Sequence, residues 1–386
     1  MKFVTKELKA VPASGIREMY NLARGMEDLV HLEIGDPDFP TPGHIIEAAK
    51  QALDDGFTHY TPNAGFEDLR EQLAQKLWNE NHIEVDAGSE ILVTAGSMQA
   101  LSLVLFSTIN PGEEVLIPDP GYANYEAQVQ LARGTPVSIP LHEENEFRLI
   151  PEDVEQLITK RTKMLVLNSP ANPTGAVMTK KDLEQLAELA KRHDLLVLSD
   201  EAYEKLVYGR IHHYSIASIE EMKKRTISIF SFSKTYSMTG WRIGYLAAEK
   251  EVVRLLTKAQ EHHVACAPAV SQRAALAALE GSQISVKKMV EEYQRRRDFL
   301  CQQLNQMEHV RCLEPNGTFY AFLNTSETGL KSKELAQRIL HEAKVVTVPG
   351  AAFGKYGDEH IRLSFATSLA QLAIASERLH EYFTKL

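Results

Sequence analysis

Short β-branched and aliphatic runs recur through the middle of the chain, and between them apolar positions return every three or four residues. Residues 91–94, 114–118, 163–168, 195–199, 226–231 and 243–247 are short and β-branched, and predict strands. The intervening residues 98–109, 124–133 and 179–193 have helical periodicity. The last of these opens with Thr179 and has Asp182 three residues on, a start resembling a capping box. Strands alternating with helices predict an α/β fold, with a mostly parallel sheet flanked by helices on both faces. Residues 282–307 predict one long amphipathic helix, placed to leave a large domain and enter a smaller α/β domain. The expected division is residues 46–284 for the large domain, and residues 1–45 with 285–386 for the small one. In open parallel sheets, ligands bind outside the carboxyl ends of the strands. Gly96, Ser97, Asn168, Asn172, Asp200, Ser231 and Lys234 all fall at or just beyond such ends, so one site is expected where they meet.

Composition narrows the class. The chain has 386 residues, 44% hydrophobic and 24% charged, the balance of a globular enzyme. Its 42 Lys and Arg against 52 Asp and Glu give a formal charge of −10, which argues against nucleic-acid or anionic-membrane partners. The N-terminal residues form no apolar signal core, and an apolar run such as residues 103–106 is too short to span a bilayer. Cys266, Cys301 and Cys312 form no CxxC pair, which fits a reducing cytoplasm and suggests no metal or disulfide role. None of the 14 histidines lies in an HExxH motif, so His212-His213 and Glu261-His262-His263 are expected on surfaces or helix faces, and no metal site is expected. Gly350-Ala351-Ala352-Phe353-Gly354-Lys355 imitates a phosphate loop. Its glycines are one residue too close, and Tyr356 stands where a Ser or Thr is needed. No GxGxxG follows a strand, which argues against a dinucleotide enzyme.

The segment from Ser231 to Tyr245, SFSKTYSMTGWRIGY, carries the strongest chemical signal. It puts a lysine just after a buried strand, among small hydroxyls, with an arginine eight residues on. A desolvated lysine near another cation has a lowered pKa and becomes a nucleophile, suited to Schiff-base chemistry beside a phosphate. The segment resembles the Schiff-base lysine motif of fold type I pyridoxal-phosphate (PLP) enzymes, in particular the class I and II aminotransferases of the aspartate and aromatic subgroup. Other segments resemble that family's motifs in order: NSPANPTG from Asn168, SDEAY from Ser199, NGTFY from Asn316 and HIRLSFA from His360.

The resemblance implies a role for each matching residue. Lys234 is the PLP-bearing lysine and general base, Asp200 faces the pyridine nitrogen, and Tyr203 and Asn172 hydrogen-bond the ring's phenolic oxygen. Gly96, Ser97 and Met98 open a helix that receives the phosphate, with Ser231, Ser233 and Arg242 completing the cup. Tyr122 stacks on the ring. Tyr60 reaches the phosphate of the neighbouring subunit, which implies a homodimer with shared sites. Arg362 grips the substrate α-carboxylate, and Gly35 lies close to the substrate. The implied reaction is ping-pong transfer of an amino group from an L-amino acid to a 2-oxo acid, with 2-oxoglutarate as the expected acceptor. In aspartate-preferring relatives a lysine often stands where this chain has Met98, so neutral or aromatic donors are expected over aspartate. The same motifs would serve a carbon–sulfur β-lyase or an aminocyclopropane-forming enzyme. A PLP-binding regulator is disfavoured, because no spare N-terminal domain or basic recognition helix is apparent.

Overall fold

The computed structural model describes residues 3–386. Its centre is a seven-stranded sheet in the order Ile91–Thr94, Gly244–Ala247, Thr226–Ser231, Leu196–Asp200, Thr162–Asn168, Glu114–Asp119, Thr135–Pro140. All neighbours are parallel except Gly244–Ala247, which is antiparallel to both of its partners. Successive side chains of a strand point to opposite faces. Accordingly Leu165, Leu167 and Val197 enter one core while Met164, Val166 and Leu198 enter another. Burial on both faces is why these strands read as continuous apolar runs rather than alternating ones.

The strand Thr135–Pro140 has no counterpart among the sequence-predicted elements. It contains Pro136 and Pro140, which lack the amide donor a central strand needs. It sits at the sheet edge with one partner, Glu114–Asp119, where a missing donor is tolerated. The helix Lys180–Arg192 begins as its sequence suggests: the Thr179 hydroxyl accepts from the Asp182 amide, and the Asp182 carboxylate accepts from the Thr179 amide.

The long helix is Ile284–Leu304. It packs against a four-stranded antiparallel sheet in the order Val348–Pro349, His360–Ser364, Tyr320–Asn324, Arg311–Cys312. The N-terminal segment joins this region, because Val30–His31 pairs parallel with Val345–Val346. The Leu32 amide then donates to Val346 O, and the Leu32 carbonyl accepts from the Ser364 amide at 2.7 Å. This pinning carries the chain on to Gly35. Among the described residues, no helix is long and apolar enough to cross a membrane.

Candidate active site

Sheet register aligns the strand ends. Gly244 is the register partner of both Thr94 and Ser231, Asp200 pairs with Ile229, and Asn168 pairs with Asp200. The turns after Thr94, Asn168, Asp200 and Ser231 therefore open onto one rim. The chain returns from Ser231 through the short helix Phe232–Thr235 and a turn into Gly244–Ala247, a connection too short for a crossover, hence the antiparallel strand. A Cβ on Gly244 would meet the Ser97 amide at 2.9 Å and Phe230 O at 2.7 Å, so only glycine lets these turns meet.

Above the rim lies a cavity of about 570 Å³. Ser97, Met98, Tyr122, Asn172, Asp200 and Tyr203 line it on the sheet side, and Ser231, Ser233, Lys234, Arg242, Gly35 and Arg362 close it. Gly96 caps the helix Ser97–Thr108 in a left-handed conformation, φ 83°, and no side chain caps that first turn. A Cβ at Gly96 would lie 2.6 Å from Arg242 Nη2. Arg242 is thus seated over an uncapped helix N-terminus, and its Nη1 donates to Thr239 O at 2.8 Å. The Ser231 hydroxyl accepts from the Ser233 amide at 3.1 Å.

Lys234 Nζ donates to the Gly35 carbonyl oxygen at 2.6 Å and lies 5.7 Å from the Phe319 ring centre. Burial holds its pKa down at about 8, with Arg362 and Arg242 adding to the depression and Asp36 opposing it. Asp200 is pushed up from the usual carboxylate range by burial, against the Tyr125 hydroxyl at 2.7 Å and the Ala202 amide at 3.2 Å, which both donate to it. Burial also raises the Tyr122 phenol, to about 12, and lifts Tyr203 well above its ordinary value, so both remain protonated donors. The Tyr203 and Tyr320 hydroxyls lie 3.0 Å apart.

Arg362 is 1% exposed. Its guanidinium lies between the rings of Tyr320 and Phe353, 4.2 and 4.8 Å from their centres. Nη1 donates to Asn172 Oδ1 at 3.1 Å and Nη2 to Glu33 O at 2.6 Å, while the buried Nε has no partner. Asn172 is held in turn by its amide donating to Asn168 Oδ1 at 3.0 Å. The NPTG turn rests on the NGTFY segment, with the Gly317 amide donating to Gly175 O at 2.9 Å. Among the described residues, no carboxylate pairs with Lys234, Arg242 or Arg362. Lys234 and Arg362 are desolvated cations without counter-ions, one with an orphaned donor, and together with the exposed Arg242 they fit a phosphate-bearing cofactor and a carboxylate substrate.

Of the expected site residues, Gly96 lies just behind the lining, next to Ser97, and Tyr60 lies outside the cavity, 88% exposed. Sequence reading missed Tyr125, because nothing local marks a tyrosine 75 residues before Asp200 as its partner. It also gave no role to Tyr320, although that residue stands within a motif segment. One expectation fails. The His213 side chain is buried rather than on a surface, and its Nε2 lies 2.8 Å from Glu201 Oε2. Glu204 lies near both. The adjacent histidine did become the surface residue, with His212 exposed and His213 turned inward.

A family model for aminotransferase class I and II matches residues 27–379. The chain is 46% identical to an aspartate aminotransferase of Pyrococcus abyssi over 380 residues, covering 98% of this chain and 97% of that one. It is 45% identical to aromatic-amino-acid aminotransferase 2 of Thermococcus litoralis, also over 380 residues and with the same coverage. The crystal structure of an aromatic aminotransferase from Pyrococcus horikoshii superposes with a TM-score of 0.91 at 44% identity, covering 96% of this chain and 99% of that one.

Proposed function

Because the chain belongs to the class I and II aminotransferases, we propose that its PLP-dependent transfer takes the amino group of neutral or aromatic L-amino acids and passes it to 2-oxoglutarate. The observation that carries the reading is Lys234, a desolvated amine with a pKa of about 8 that donates to Gly35 O and lies near two arginines without carboxylate partners. In this reading the Ser97 and Met98 amides behind Gly96, with Ser231, Ser233 and Arg242, hold the cofactor phosphate. Tyr122 covers one face of the ring, and Tyr203 and Asn172 donate to its phenolic oxygen. Asp200 faces the ring nitrogen, where a protonated partner would return its raised pKa toward the carboxylate range. When bound, PLP supplies an electron sink for negative charge at the substrate α-carbon.

Arg362 orients the substrate by binding its α-carboxylate, with the orphaned Nε and the Nη groups as donors. A Cβ on Gly35 would lie 1.8 Å from the Tyr320 hydroxyl, so glycine keeps that wall close to the substrate. Lys234 Nζ takes the proton from the substrate α-carbon, a transfer that needs a base whose pKa lies near the working pH. The neutral-donor preference is supported by Met98, an uncharged residue that lines the cavity and whose sulfur accepts from Gln128 Nε2 at 2.8 Å. Leu101, Ile16 and Ile34 add apolar wall.

The same reading makes the enzyme a cytoplasmic homodimer, with Tyr60 serving the partner's phosphate. It divides the chain into residues 46–284 and residues 1–45 with 285–386. That division is supported by a large sheet confined to residues 91–247 and smaller sheets at residues 30–31 and 311–364. The test is a donor and acceptor panel on holoenzyme. Phenylalanine or a neutral aliphatic amino acid should exceed aspartate in kcat/KM, and turnover should stop after one equivalent per site without a 2-oxo acid. Sustained release of ammonia and pyruvate without an acceptor would assign the scaffold to β-elimination instead.

A further inference from the structure

The cavity holds more positive charge than the cofactor and one carboxylate can use. Its lining includes Arg17, Lys234, Arg242 and Arg362, against the carboxylates Asp36 and Asp200. On the proposed reading, Arg242 is assigned to a phosphate, Arg362 to an α-carboxylate and Lys234 to the reaction. Arg17 is left over. It stands on the helix Gly15–Ala23 at the cavity mouth, and among the described residues its guanidinium has no carboxylate partner.

The helix is fixed so that this exposed side chain borders the cavity mouth. A Cβ on Gly15 would lie 2.5 Å from Ala352 Cβ, so the helix start abuts the turn that carries Phe353, the ring against Arg362. Met19 and Ala23 follow at four-residue steps and are buried against Leu340 and Val346. Glu18 is drawn away by Lys333 at 2.8 Å. The residues left toward the cavity are Ile16, Arg17 and Tyr20, and the Arg17 guanidinium lies 5.9 Å from the Tyr20 ring centre. Met98, across the cavity, offers no charge.

We propose that Arg17 is the specificity residue for dicarboxylic substrates, binding the distal carboxylate of a 2-oxo acid such as 2-oxoglutarate while Arg362 holds the α-carboxylate. This rests on the proposed reading of the site. A guanidinium fork matches a carboxylate, whereas a neutral or aromatic side chain would meet Ile16, Tyr20 and Met98 instead. One pocket could then serve an uncharged donor and an acidic acceptor.

The test compares wild-type holoenzyme with Arg17→Ala and Arg17→Lys. Calorimetry gives the affinities of glutarate and butyrate, which lack an amino or oxo group, and kinetics gives kcat/KM for 2-oxoglutarate and phenylpyruvate. In Arg17→Ala the glutarate-to-butyrate affinity ratio and the 2-oxoglutarate-to-phenylpyruvate ratio should each fall about 10- to 100-fold, the range for a lost hydrogen bond to a charged group. Arg17→Lys should recover part of both. Unchanged ratios, or equal losses for dicarboxylate and monocarboxylate, would overturn the assignment. A wild-type enzyme that uses no 2-oxo acid would count against the proposed reaction, and the calorimetric ratio would still decide the role of Arg17.

Discussion

Lys234 has to be buried to be reactive, and burial of a cation has a thermodynamic signature. Its folded pKa of about 8 lies below the ordinary 10.5. Below about pH 8 both folded and unfolded chains carry the proton, and the apoprotein bears the full penalty, on the order of 3 kcal/mol. Between the two values the folded chain has released the proton while the unfolded chain retains it, so the penalty is relieved as pH rises. Apo Lys234→Met should therefore be more stable than the parent apoprotein near neutral pH, and the difference should close on approaching the upper value. Denaturant titration of both across that range measures it, and a pH-independent gap would contradict the assigned pKa. Residues such as Lys234, Asp200 and Arg362 were legible in the sequence because each sits in a compact segment of recognisable chemistry. Tyr125 and Arg17 were not, because what defines each is a through-space relation, to a carboxylate 75 residues away or to a cavity.

At the scale of elements, the strand ends and the helix Ser97–Thr108 make the site. Continuous apolar runs revealed six of the seven strands in the large sheet, since each has a mostly apolar centre buried on both faces. The seventh was hidden by its prolines and its edge position. Register was not legible, because β-branched runs do not state their partners, and register is what aligns Thr94, Gly244 and Ser231. Met98 lies in the first turn of the helix and lines the cavity. Met98→Lys would place a cation beside the substrate side chain and should raise kcat/KM for aspartate relative to phenylalanine by about 1–3 kcal/mol of discrimination. If Met98 only packs the helix start, the substitution will change stability or PLP affinity and leave the donor ratio unmoved.

At the scale of the molecule, Tyr60 is an exposed aromatic that does not line this chain's cavity. If it serves the partner's phosphate, Tyr60→Phe should be impaired and Lys234→Ala inactive. A heterodimer of the two would then hold one site with both lesions and one with neither. Mixing the variants under subunit exchange should produce activity above the sum of the separate preparations. No gain on mixing, with Tyr60→Phe impaired alone, would place Tyr60 at its own site. The N-terminal segment shows the same long-range logic within one chain. Pairing of residues 30–31 with 345–346 and of Leu32 with Ser364 brings Gly35 to Lys234, and periodicity in so short a strand could not have revealed it.

On the proposed function, separated segments converge to make Lys234 the cofactor lysine. Borohydride reduction of holoenzyme followed by peptide mapping tests it. The pyridoxyl group should be found on Lys234 at about one per subunit, and Lys234→Ala should retain none after the same treatment. Stoichiometric label on any other lysine would contradict the account.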